Sequence, residues 1–594
     1  MKDVYVLGIH GFSAHSKRTM HNSGVALLKN GEVIFATDEE RFSRMKNDGA
    51  FPFQSLEALY RETKIKPSDI SYVAMPDRKS LWQLRKIFKY VIKTYFETGV
   101  FTSNYLRESL KRTVQLKRTL PDNLSHCKIF FVEHHLAHAA SSYYSAPWRE
   151  STLISIDGSG DFSMSGLFAK SDENKITILK RLNGFYSPGI YYMIVTEVLG
   201  FISGRHEGKV TGLSAYGKPV KELENHFREF LQYKENKFDF FSKNVAFEID
   251  DYISKHWVNG YNPELGSGSK AELEYQKYAT QQLSTFRLPL ANYSREDIAY
   301  AAQNRLEEVV LAHVKNVISK TEIKNICLAG GVFANVRLNQ KIRELEEVDN
   351  LFVYPSMNDS GLSVGAALQV YYGHLNNKFI GKQPSSMFLG ISLPENQEIE
   401  HLLKSKKVKY LKVDNIESKI AEALSSNKIV AHFNGRAEYG PRSLGNRSIF
   451  ASATNSDINE SLNRKLNRTE FMPFAPILMI DYAKDLLIDW SIHDHNSKFM
   501  TITYKVSKKM KSIAPAAVHV DGTARPQVVS PNDNLRVYNI LSEYQKITGI
   551  PVLVNTSFNL HEEPITNSPE DALRVLNHKA VDILVINNLY IENK

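Results

Sequence analysis

The sequence predicts an α/β protein of two domains, and three observations support this. Its 594 residues exceed what a single hydrophobic core usually organises. Apolar strand patterns alternate with helical patterns along the chain. A strand, a polar loop and a hairpin occur in that order twice, first near Val4 and again near Thr152. We expect one domain over residues 1–378 and a second over residues 387–594, joined by the polar segment between them.

The composition indicates a folded protein of a reducing compartment. Hydrophobic residues make up 42% of the chain and charged residues 23%, which is ordinary for a globular protein and excludes general disorder. Cys127 and Cys327 each lie in an apolar run, so both are predicted to be buried thiols. The N-terminal apolar stretch is too short for a signal peptide. We therefore expect a cytoplasmic monomer or homodimer.

The repeated pattern consists of a strand that ends in polar residues and a hairpin after it. The first copy reads VYVLGIHGF, then SGVALLKNG with a hairpin turn at Asn30-Gly31, then EVIFATDEE. The second copy reads TLISIDGSGD, then SGLFAKSDENKITILKRL. Two such halves resemble the ribonuclease-H-like fold of actin, sugar kinases and heat-shock chaperone ATPases. That resemblance implies a nucleotide-binding cleft and does not fix a reaction.

A glycine turn follows a buried strand in NICLAGGVFANVRLNQKI, and a helix is predicted to begin near Asn335. The pair Gly330-Gly331 would let backbone amides approach a phosphate at that helix N-terminus. It would equally allow close packing of the helix on the strand. Both interpretations stay open on the sequence alone.

A metal site is predicted from residue types and spacing. His134 and His138 are four apart in an alanine-rich helical stretch, so their rings share one face. Asp157 at the end of the next strand and Asp359 in a later polar loop supply carboxylates. Two histidines with two aspartates suit iron, manganese or zinc. From spacing alone, the histidine pair could instead be a structural feature of the helix.

Ordered motifs then resemble the NodU/CmcH-type O-carbamoyltransferases, which modify nodulation factors, cephalosporins and aminoglycosides. The matching stretches span nearly the whole chain and are HNSGVALLKNGEVIFATDEERFSRMKNDGAFP, HHLAHAASSYY, SIDGSGD, HEGKVTGLSAYGKP, LAGGVFANVRLN and NDSGLSVGAA. The resemblance implies that the four predicted ligands hold iron(II), which manganese or zinc could replace. It also implies that His21 takes the proton of the acceptor hydroxyl. The residues that it implies for carbamoyladenylate binding in the N-terminal domain are Lys46, Lys209, Gly212, Gly330, Gly331 and Asn335.

Phosphate-binding residue types are dense in the C-terminal half. Three arginines lie among glycines in GRAEYGPRSLGNRSIFA, and further candidates follow in HVDGTARPQ and VLVNTSFNLHEEPI. These motifs resemble a YrdC-like α/β domain that makes carbamoyladenylate from carbamoyl phosphate and from ATP with its Mg²⁺. The residues implied for that site are Arg436, Arg442, Arg447, Arg468, His519, Arg525, Asn555 and Ser557. Turn chemistry alone could account for Asn555, Thr556 and Ser557.

The sequence departs from the family pattern at LNRKLNRTEFMPFAP. Many members have K-x-R-E-x-F-R-P there, and Leu466 stands at the position of the lysine while Arg468 keeps the first arginine. Met472 replaces the second arginine. Lys465 or Arg464 could supply the missing charge.

The function that the resemblance implies is ATP-dependent O-carbamoyl transfer to a hydroxyl of a small-molecule or sugar-containing acceptor in secondary metabolism, such as an antibiotic. A metabolite kinase and a tRNA-binding protein of the threonylcarbamoylation type are the alternatives. The basic, aromatic segment from Lys79 to Lys117 bears on the last of these. We interpret it as a helical insertion with a solvated basic face, and expect neither a nucleic-acid nor a membrane partner.

Overall fold

The computed structural model describes residues 3–11, 21–76, 81–99, 101, 103, 106–107, 120–161, 164–172, 175–242, 290–381, 386–466 and 474–593. The chain forms two compact units. The first contains Met1–Ile34, Asn47–Phe53 and Ile65–Ser385. The second contains Phe35–Lys46, Gln54–Lys64 and Ser386–Lys594.

The first sheet is built from the N-terminal meander and two parallel strands. Its strands are β1 (Tyr5–His10), β2 (Gly24–Lys29), β3 (Glu32–Asp38), β4 (Tyr72–Met75) and β5 (Lys128–Phe131). Their spatial order is β3-β2-β1-β4-β5. Asn30 and Gly31 both have positive φ, 51° and 84°, which a tight hairpin turn of this kind requires. The predicted strands and hairpin are confirmed.

The second sheet repeats this topology. The next strands are β6 (Ser151–Gly160), β7 (Met164–Asp172), β8 (Lys175–Asn183), β9 (Gln232–Lys234), β10 (Asp239–Phe241), β11 (Asn325–Ala329) and β12 (Asn350–Val353). The sheet order is β12-β11-β6-β7-β8, while β9 and β10 form a separate hairpin. Antiparallel β6, β7 and β8 followed by parallel β11 and β12 match β1 to β5 strand for strand. The predicted duplication of a ribonuclease-H-like half is therefore confirmed.

Helices cover both sheets of the first unit. Two helices before residue 381, α1 (Glu40–Ser43) and α2 (Phe53–Thr63), lie in segments of the second unit, apart from Phe53. The helices of the first unit are α3 (Leu81–Thr98), α4 (His134–Tyr143), α5 (Pro188–Val198), α6 (Glu207–Leu213), α7 (Lys221–Phe230), α8 (Arg295–Thr321), α9 (Val336–Arg343) and α10 (Leu362–Leu368). The π-helix Gln369–His374 continues α10. Gly8 and Gly365 allow α10 to pack tightly, because a Cβ at either would overlap a backbone oxygen, at 1.9 Å. This packing carries the loop before α10 to the carboxyl edge of the sheet.

The second unit has one mixed sheet. Its strands are β13 (Leu411–Lys412), β14 (Val430–Phe433), β15 (Arg447–Ser452), β16 (Ala475–Met479), β17 (Tyr504–Lys505), β18 (Thr523–Ala524), β19 (Gln527–Val529), β20 (Val552–Ser557), β21 (Ile583–Ile586) and β22 (Leu589–Glu592). Eight of them form a sheet in the order β13-β22-β21-β14-β15-β20-β16-β19, and β17 pairs with β18. Pairing is mostly antiparallel, with β14–β21 and β16–β19 parallel.

Helices flank this sheet, in agreement with the predicted mixture of helices and strands. They are α11 (Asn396–Ser405), α12 (Ile416–Ser425), α13 (Asp457–Lys465), α14 (Ile480–Leu486), α15 (Lys508–Ile513), α16 (Leu535–Thr548) and α17 (Pro569–Asn577). The apolar faces of α12 and α16 share one core with the sheet, centred on Ile420, Ile540 and Leu553.

The predicted boundaries at 378 and 387 differ from the observed units in two places. Phe35–Lys46 and Gln54–Lys64 belong to the second unit, although they lie within the predicted first domain. The contacts are specific, since the Arg44 guanidinium donates to the carbonyls of Pro564 and Ile565 at 2.7 and 2.9 Å. The order of strands and helices along the chain does not indicate that these two segments belong to the second unit.

Two further predictions concern burial. Cys127 and Cys327 are both buried and unpaired thiols, as predicted. Within the described part of the chain, every helix is too short or too polar to cross a bilayer.

Candidate metal centre and arginine-rich loop

Two buried histidines project from one side of α4 in the first unit. His134 is 6% exposed, His138 is fully buried, and their ring centroids are 4.9 Å apart. The helix starts at a fixed point because the backbone N–H of His134 donates to Asp161 Oδ2 at 3.0 Å. A bidentate ion pair between Arg181 and the preceding Glu133 holds the same turn. The first turn of α4 is thus anchored independently of any ligand.

Asp157 and Asp359 bring carboxylates to these rings. His138 Nε2 lies 3.1 Å from Asp157 Oδ2 and 3.5 Å from Asp359 Oδ1, and His134 Nε2 lies 3.6 Å from the same Asp359 oxygen. One ligand atom from each residue lies within 4.8 Å of all the others. The structure therefore brings together all four residues that the sequence predicts as ligands.

The backbone explains how Asp157 enters the cluster. Regular pairing of β6 with β7 stops at Ile156 and resumes only at Gly160. Asp157 lies in this bulge inside the strand, not at the end of the strand as predicted. A bulge redirects a side chain out of the alternation of the sheet, which here turns the carboxylate toward α4.

Electrostatics favour a cation in the cluster. Burial alone would lower the pKa of His134, yet the carboxylates of Asp359 and Asp157 outweigh burial and raise it to about 9. Burial likewise opposes ionisation of Asp157, but His134 and His138 hold its pKa well below the ordinary value. His134 Nε2 is buried without a hydrogen-bond partner. Two imidazoles and two ionised carboxylates with such an unsatisfied nitrogen fit a divalent transition metal.

Tight packing surrounds the cluster. A Cβ at Gly331 would lie 2.8 Å from Asp157 Oδ1, and a Cβ at Gly160 would lie 2.5 Å from the His134 ring. His135 belongs to this supporting layer, because its ring nitrogens bond Ser155 Oγ at 3.1 Å and the Met164 carbonyl at 3.0 Å. Gly331 thus touches a candidate ligand directly.

His21 is exposed and its backbone is held beside the cluster. The next residue, Asn22, donates to Ser360 Oγ at 3.2 Å, and Ser360 follows Asp359 in the chain. The buried ring of His10 lies 2.9 Å from the His21 carbonyl oxygen. His10 was not singled out from sequence. Its only signal is an apolar strand that ends in histidine.

Asn335, one of the residues predicted for carbamoyladenylate binding in the first unit, lies in a buried hydrogen-bond network that reaches the chain neighbour of Gly212. Tyr192 bonds both Thr211, next to Gly212, and Gln303, which exchanges amide hydrogen bonds with Asn335 at 2.9 and 3.2 Å. Asn335 also caps α9 by accepting from the Leu338 N–H at 3.1 Å.

The two predicted lysines lie in different units. Lys209 is buried on α6, in the first unit. Lys46 belongs to the second unit, with its Nζ 3.7 Å from Glu40 Oε1, so it is not part of the compact unit for which it is predicted.

In the second unit, a buried carboxylate shapes the loop that carries the predicted arginines. Glu438 Oε1 accepts from the backbone N–H groups of Leu444, Asn446 and Arg447 at 2.8, 2.8 and 3.0 Å. Glu438 is 3% exposed. The sequence holds no signal for this role of Glu438, since a glutamate in a glycine-rich loop is typical of a surface position.

Arg436 and Arg447 are used by the fold itself. Arg436 donates to the carbonyls of Leu389 and Gly390 at 2.7 and 3.1 Å. Arg447 donates to those of Asn434 and Gly435 at 2.6 and 3.1 Å. Both guanidinium groups thus brace the loop.

Arg442 and Arg525 differ from these two. Burial lowers the pKa of Arg442 to about 10, and burial together with the charge of Arg442 lowers that of Arg525. The Nε of each is buried without a hydrogen-bond partner, and neither has an acidic partner among the described residues. Two cations that interact and have no counter-charge among the described residues are suited to binding an anion.

The remaining candidates of the second unit surround β18 and β20. Asn555 donates to Gln527 Oε1 at 2.8 Å and to the Ser443 carbonyl at 3.2 Å, while its own Oδ1 is buried without a partner. His519 Nδ1 is 3.3 Å from Asp521 Oδ1. Ser557 ends β20 and is partly exposed.

The loop at which the sequence departs from the family pattern, LNRKLNRTEFMPFAP, is described only in part. Arg468 and Met472 fall outside the described residues. Leu466 is fully buried, and Lys465 pairs with Asp582 at 2.9 Å.

Family comparisons cover most of the chain. The family description "Carbamoyltransferase N-terminus" matches residues 13–368, and "Carbamoyltransferase C-terminus" matches residues 421–593. These ranges include all four candidate metal ligands, and also Arg442 and Arg525.

Individual relatives agree in extent. An uncharacterized protein of Methanocaldococcus jannaschii is 31% identical over 96% of this chain and 98% of its own length. Nodulation protein NolNO of Sinorhizobium fredii is 28% identical over 97% of this chain and 79% of its own length. Among solved structures, component A of the (R)-2-hydroxyglutaryl-CoA dehydratase of Acidaminococcus fermentans is 14% identical and covers 63% of this chain and 99% of its own, with a TM-score of 0.31. That score is too low to establish a shared fold.

Proposed function

The chain belongs to the carbamoyltransferase family and is a carbamoyltransferase, and we propose that it works in two ATP-dependent steps. In the first step, carbamoyl phosphate loses its phosphate to water and the resulting carbamate attacks the α-phosphorus of ATP, which releases pyrophosphate. In the second, an acceptor hydroxyl attacks the carbonyl carbon of carbamoyladenylate and AMP leaves. The product is an O-carbamate of a small-molecule or sugar-containing acceptor, as expected for a secondary-metabolite enzyme.

The observation that carries this proposal is the four-ligand cluster of His134, His138, Asp157 and Asp359. A kinase needs no such buried pair of histidines, whereas carbamoyl transfer gains from polarisation of the carbonyl. We propose iron(II) for this site, with manganese or zinc as possible replacements. When bound, the metal would supply Lewis-acid character toward the donor carbonyl and neutralise charge on the donor phosphate.

His21 is proposed to act as the general base of transfer. An exposed histidine can meet an acceptor that arrives from solvent, and imidazole is the side chain most often used as a general base near neutral pH. The His10 contact to the His21 carbonyl and the Asn22 contact to Ser360 fix the backbone from which this ring projects. The acceptor proton therefore leaves through a residue whose main chain is tied to the ligand loop.

The donor is proposed to lie along the glycine turn. At Gly331, lack of a side chain leaves the backbone close to Asp157. Lys209 is proposed to neutralise the donor phosphate, and Gly212, Gly330 and Asn335 to shape its pocket. Because the amide of Asn335 is committed to Gln303 and to the cap of α9, its contribution is proposed to be positional.

The first step is proposed to occur in the second unit, which we interpret as YrdC-like. Support comes from Arg442 and Arg525, two partly buried cations whose pKa burial lowers and which have no acidic partner among the described residues. Such a pair destabilises the fold unless an anion binds, and ATP with carbamoyl phosphate supplies several phosphate charges. Mg²⁺ is proposed to accompany ATP. In adenylyl transfer of this kind, positioning and neutralisation suffice without a nucleophilic side chain.

The proposed roles of the remaining candidate residues of the second unit follow from the groups that surround them. Asn555 presents a buried oxygen without a partner near Ser443 and Gln527, and we propose that it contacts an amino or hydroxyl group of a substrate. We propose that His519 and Ser557 border the same pocket and that Arg436 and Arg447 hold its walls.

The test is a product analysis. The purified protein is incubated with ATP, Mg²⁺, iron(II) and labelled carbamoyl phosphate, with and without a small-molecule extract of the producing organism. AMP and pyrophosphate in equal amounts, together with a carbamoylated metabolite detected by mass spectrometry, are the expected products. Formation of ADP instead would contradict the carbamoyladenylate mechanism and indicate a kinase reaction.

A further inference from the structure

The helix α3 (Leu81–Thr98) has two apolar faces, of which the protein covers one. Its inner face packs on the first unit, and Asn183 Nδ2 donates to Thr94 Oγ1 there at 3.4 Å. The inner residues are at most 9% exposed and recur at helical spacing, namely Ile87, Tyr90, Val91, Thr94 and Thr98. This face explains why the helix is attached to the unit. The inner face does not explain the side chains on the opposite face of the helix.

The outer face is apolar as well. Phe88 is 44% exposed, Ile92 51%, Tyr95 49% and Phe96 82%. At about 100° per residue, these four side chains fall within one arc of about 100° on the side opposite Thr94. A water-facing side of a helix is normally polar, and a continuous exposed apolar stripe usually marks an interaction surface. The solvated basic face predicted from sequence does not account for these exposed apolar side chains.

Basic residues lie in and beside the stripe. Arg85 and Lys89 are exposed, and at helical spacing Arg85 falls between Ile92 and Phe96 while Lys89 falls beside Phe96. The segment of residues 77–118 contains eleven lysines or arginines and three acidic residues, a net +8, while the whole chain carries +9. Nearly all of the net charge of the protein is thus concentrated in the segment that displays the apolar stripe.

We propose that α3 docks on the surface of a bilayer that contains anionic phospholipids. A helix that presents bulky apolar and aromatic side chains beside lysine and arginine has the composition of an interfacial segment, which lies in the headgroup region and does not span. Charge complementarity favours this occupant over a second copy of the chain, because two segments of +8 would repel each other. Nucleic acid would satisfy the charge but leave Ile92 and Phe96 in water.

Vesicle flotation tests this proposal with the full-length protein. Wild-type protein should float with vesicles of phosphatidylcholine containing about 30% phosphatidylglycerol, and at least about tenfold less with phosphatidylcholine alone, near 100 mM salt. Ile92→Ser combined with Phe96→Ser should lower binding to anionic vesicles at least about tenfold. Arg85→Glu with Lys89→Glu should do the same by reversing local charge. Unchanged carbamoyl transfer to a soluble acceptor and an unchanged Tm would show that these variants are folded.

Ile547→Ser is the matched control, since Ile547 is also an isoleucine on a helix and is 51% exposed, as Ile92 is. It should bind vesicles like the wild type. Equal binding of the Ile92/Phe96 variant and the wild type would overturn the proposal. So would a concentration-dependent dimer in sedimentation velocity that the same variant abolishes, or salt-sensitive tRNA binding without vesicle binding, because these outcomes assign the face to another partner.

Discussion

His138 and Asp157 lie in direct contact in the first unit, with His138 Nε2 3.1 Å from Asp157 Oδ2, and no water could fit between them. His138→Ala removes one of four candidate ligands without adding bulk. We expect it to abolish carbamoyl transfer to the acceptor and to leave formation of carbamoyladenylate, measured as pyrophosphate release, unchanged. Iron content after purification under reducing conditions should fall together with transfer.

His126→Ala is the control for this variant, because His126 is exposed and lies in the same unit. It should retain both iron and transfer. Loss of both steps in folded His138→Ala would contradict the assignment of one step to each unit.

Gly331→Ala tests how closely the glycine turn approaches the cluster. Its Cβ would lie 2.8 Å from Asp157 Oδ1, so either the carboxylate or the turn must shift. We expect iron affinity to drop at least about tenfold, a size typical of disturbed ligand orientation. Gly208→Ala, whose Cβ would meet nothing within 4 Å, should bind iron normally in the same titration. Equal affinity of the two variants would show that the turn is not coupled to the ligands.

Glu438 offers a test of the arginine-rich loop that separates charge from hydrogen bonding. Glu438→Ala leaves the N–H groups of Leu444, Asn446 and Arg447 without their acceptor, which should cost about 3 kcal/mol in the free energy of unfolding. Glu438→Gln keeps an acceptor oxygen and should cost only about 1 kcal/mol. Urea unfolding gives both values. Similar losses for the two variants would mean that the charge, and not the acceptor, organises the loop.

The convergence of the four candidate ligands could be predicted from sequence in part because the two histidines depend on a local rule. Residues four apart on a helix share a face wherever the helix lies. The two aspartates come from other elements, and their convergence requires the duplicated sheet, which the strand pattern also predicted. The bulge at Asp157 could not be foreseen, since it depends on pairing with β7.

The different roles of the arginines in the second unit could not be predicted from the sequence. Arg436, Arg442 and Arg447 look equivalent in one glycine-rich stretch, yet Arg436 and Arg447 donate to backbone carbonyls, whereas Arg442 has no such bond among the described residues. The direction in which each guanidinium turns depends on where the tertiary fold leaves carbonyls unsatisfied. No residue pattern within the loop encodes that.

Stability should depend on pH through buried histidines. Burial lowers the pKa of His313 to about 3, far below its ordinary value of 6.5, so this ring is neutral when folded. Below pH 6.5 the unfolded chain binds a proton that the folded protein does not, and stability is lost as pH falls toward about 3. His313 should account for about 1.4 kcal/mol per pH unit in that window.

His313→Leu should flatten the dependence of the unfolding free energy on pH by that amount between pH 6 and 4, compared with wild type. His126→Gln, at an exposed position, should leave the slope as it is. An unchanged slope in His313→Leu would indicate that His313 is not kept neutral by the fold.

Arg525→Met distinguishes a ligand-binding arginine from a structural one. In the folded protein, Arg525 is partly buried, burial and the charge of Arg442 lower its pKa, and it has no acidic partner among the residues that the structure describes. Removing its charge relieves that repulsion, so Tm should stay the same or rise, whereas loss of a bracing arginine lowers it. Formation of carbamoyladenylate should fall at least about a hundredfold, because charge-assisted bonds to phosphate disappear. Supplied carbamoyladenylate should still be used.

Arg61→Met, at a side chain that is 63% exposed, should change neither quantity. A lower Tm with retained activation would instead make Arg525 part of the scaffold, and the anion site would then have to be sought elsewhere in the second unit.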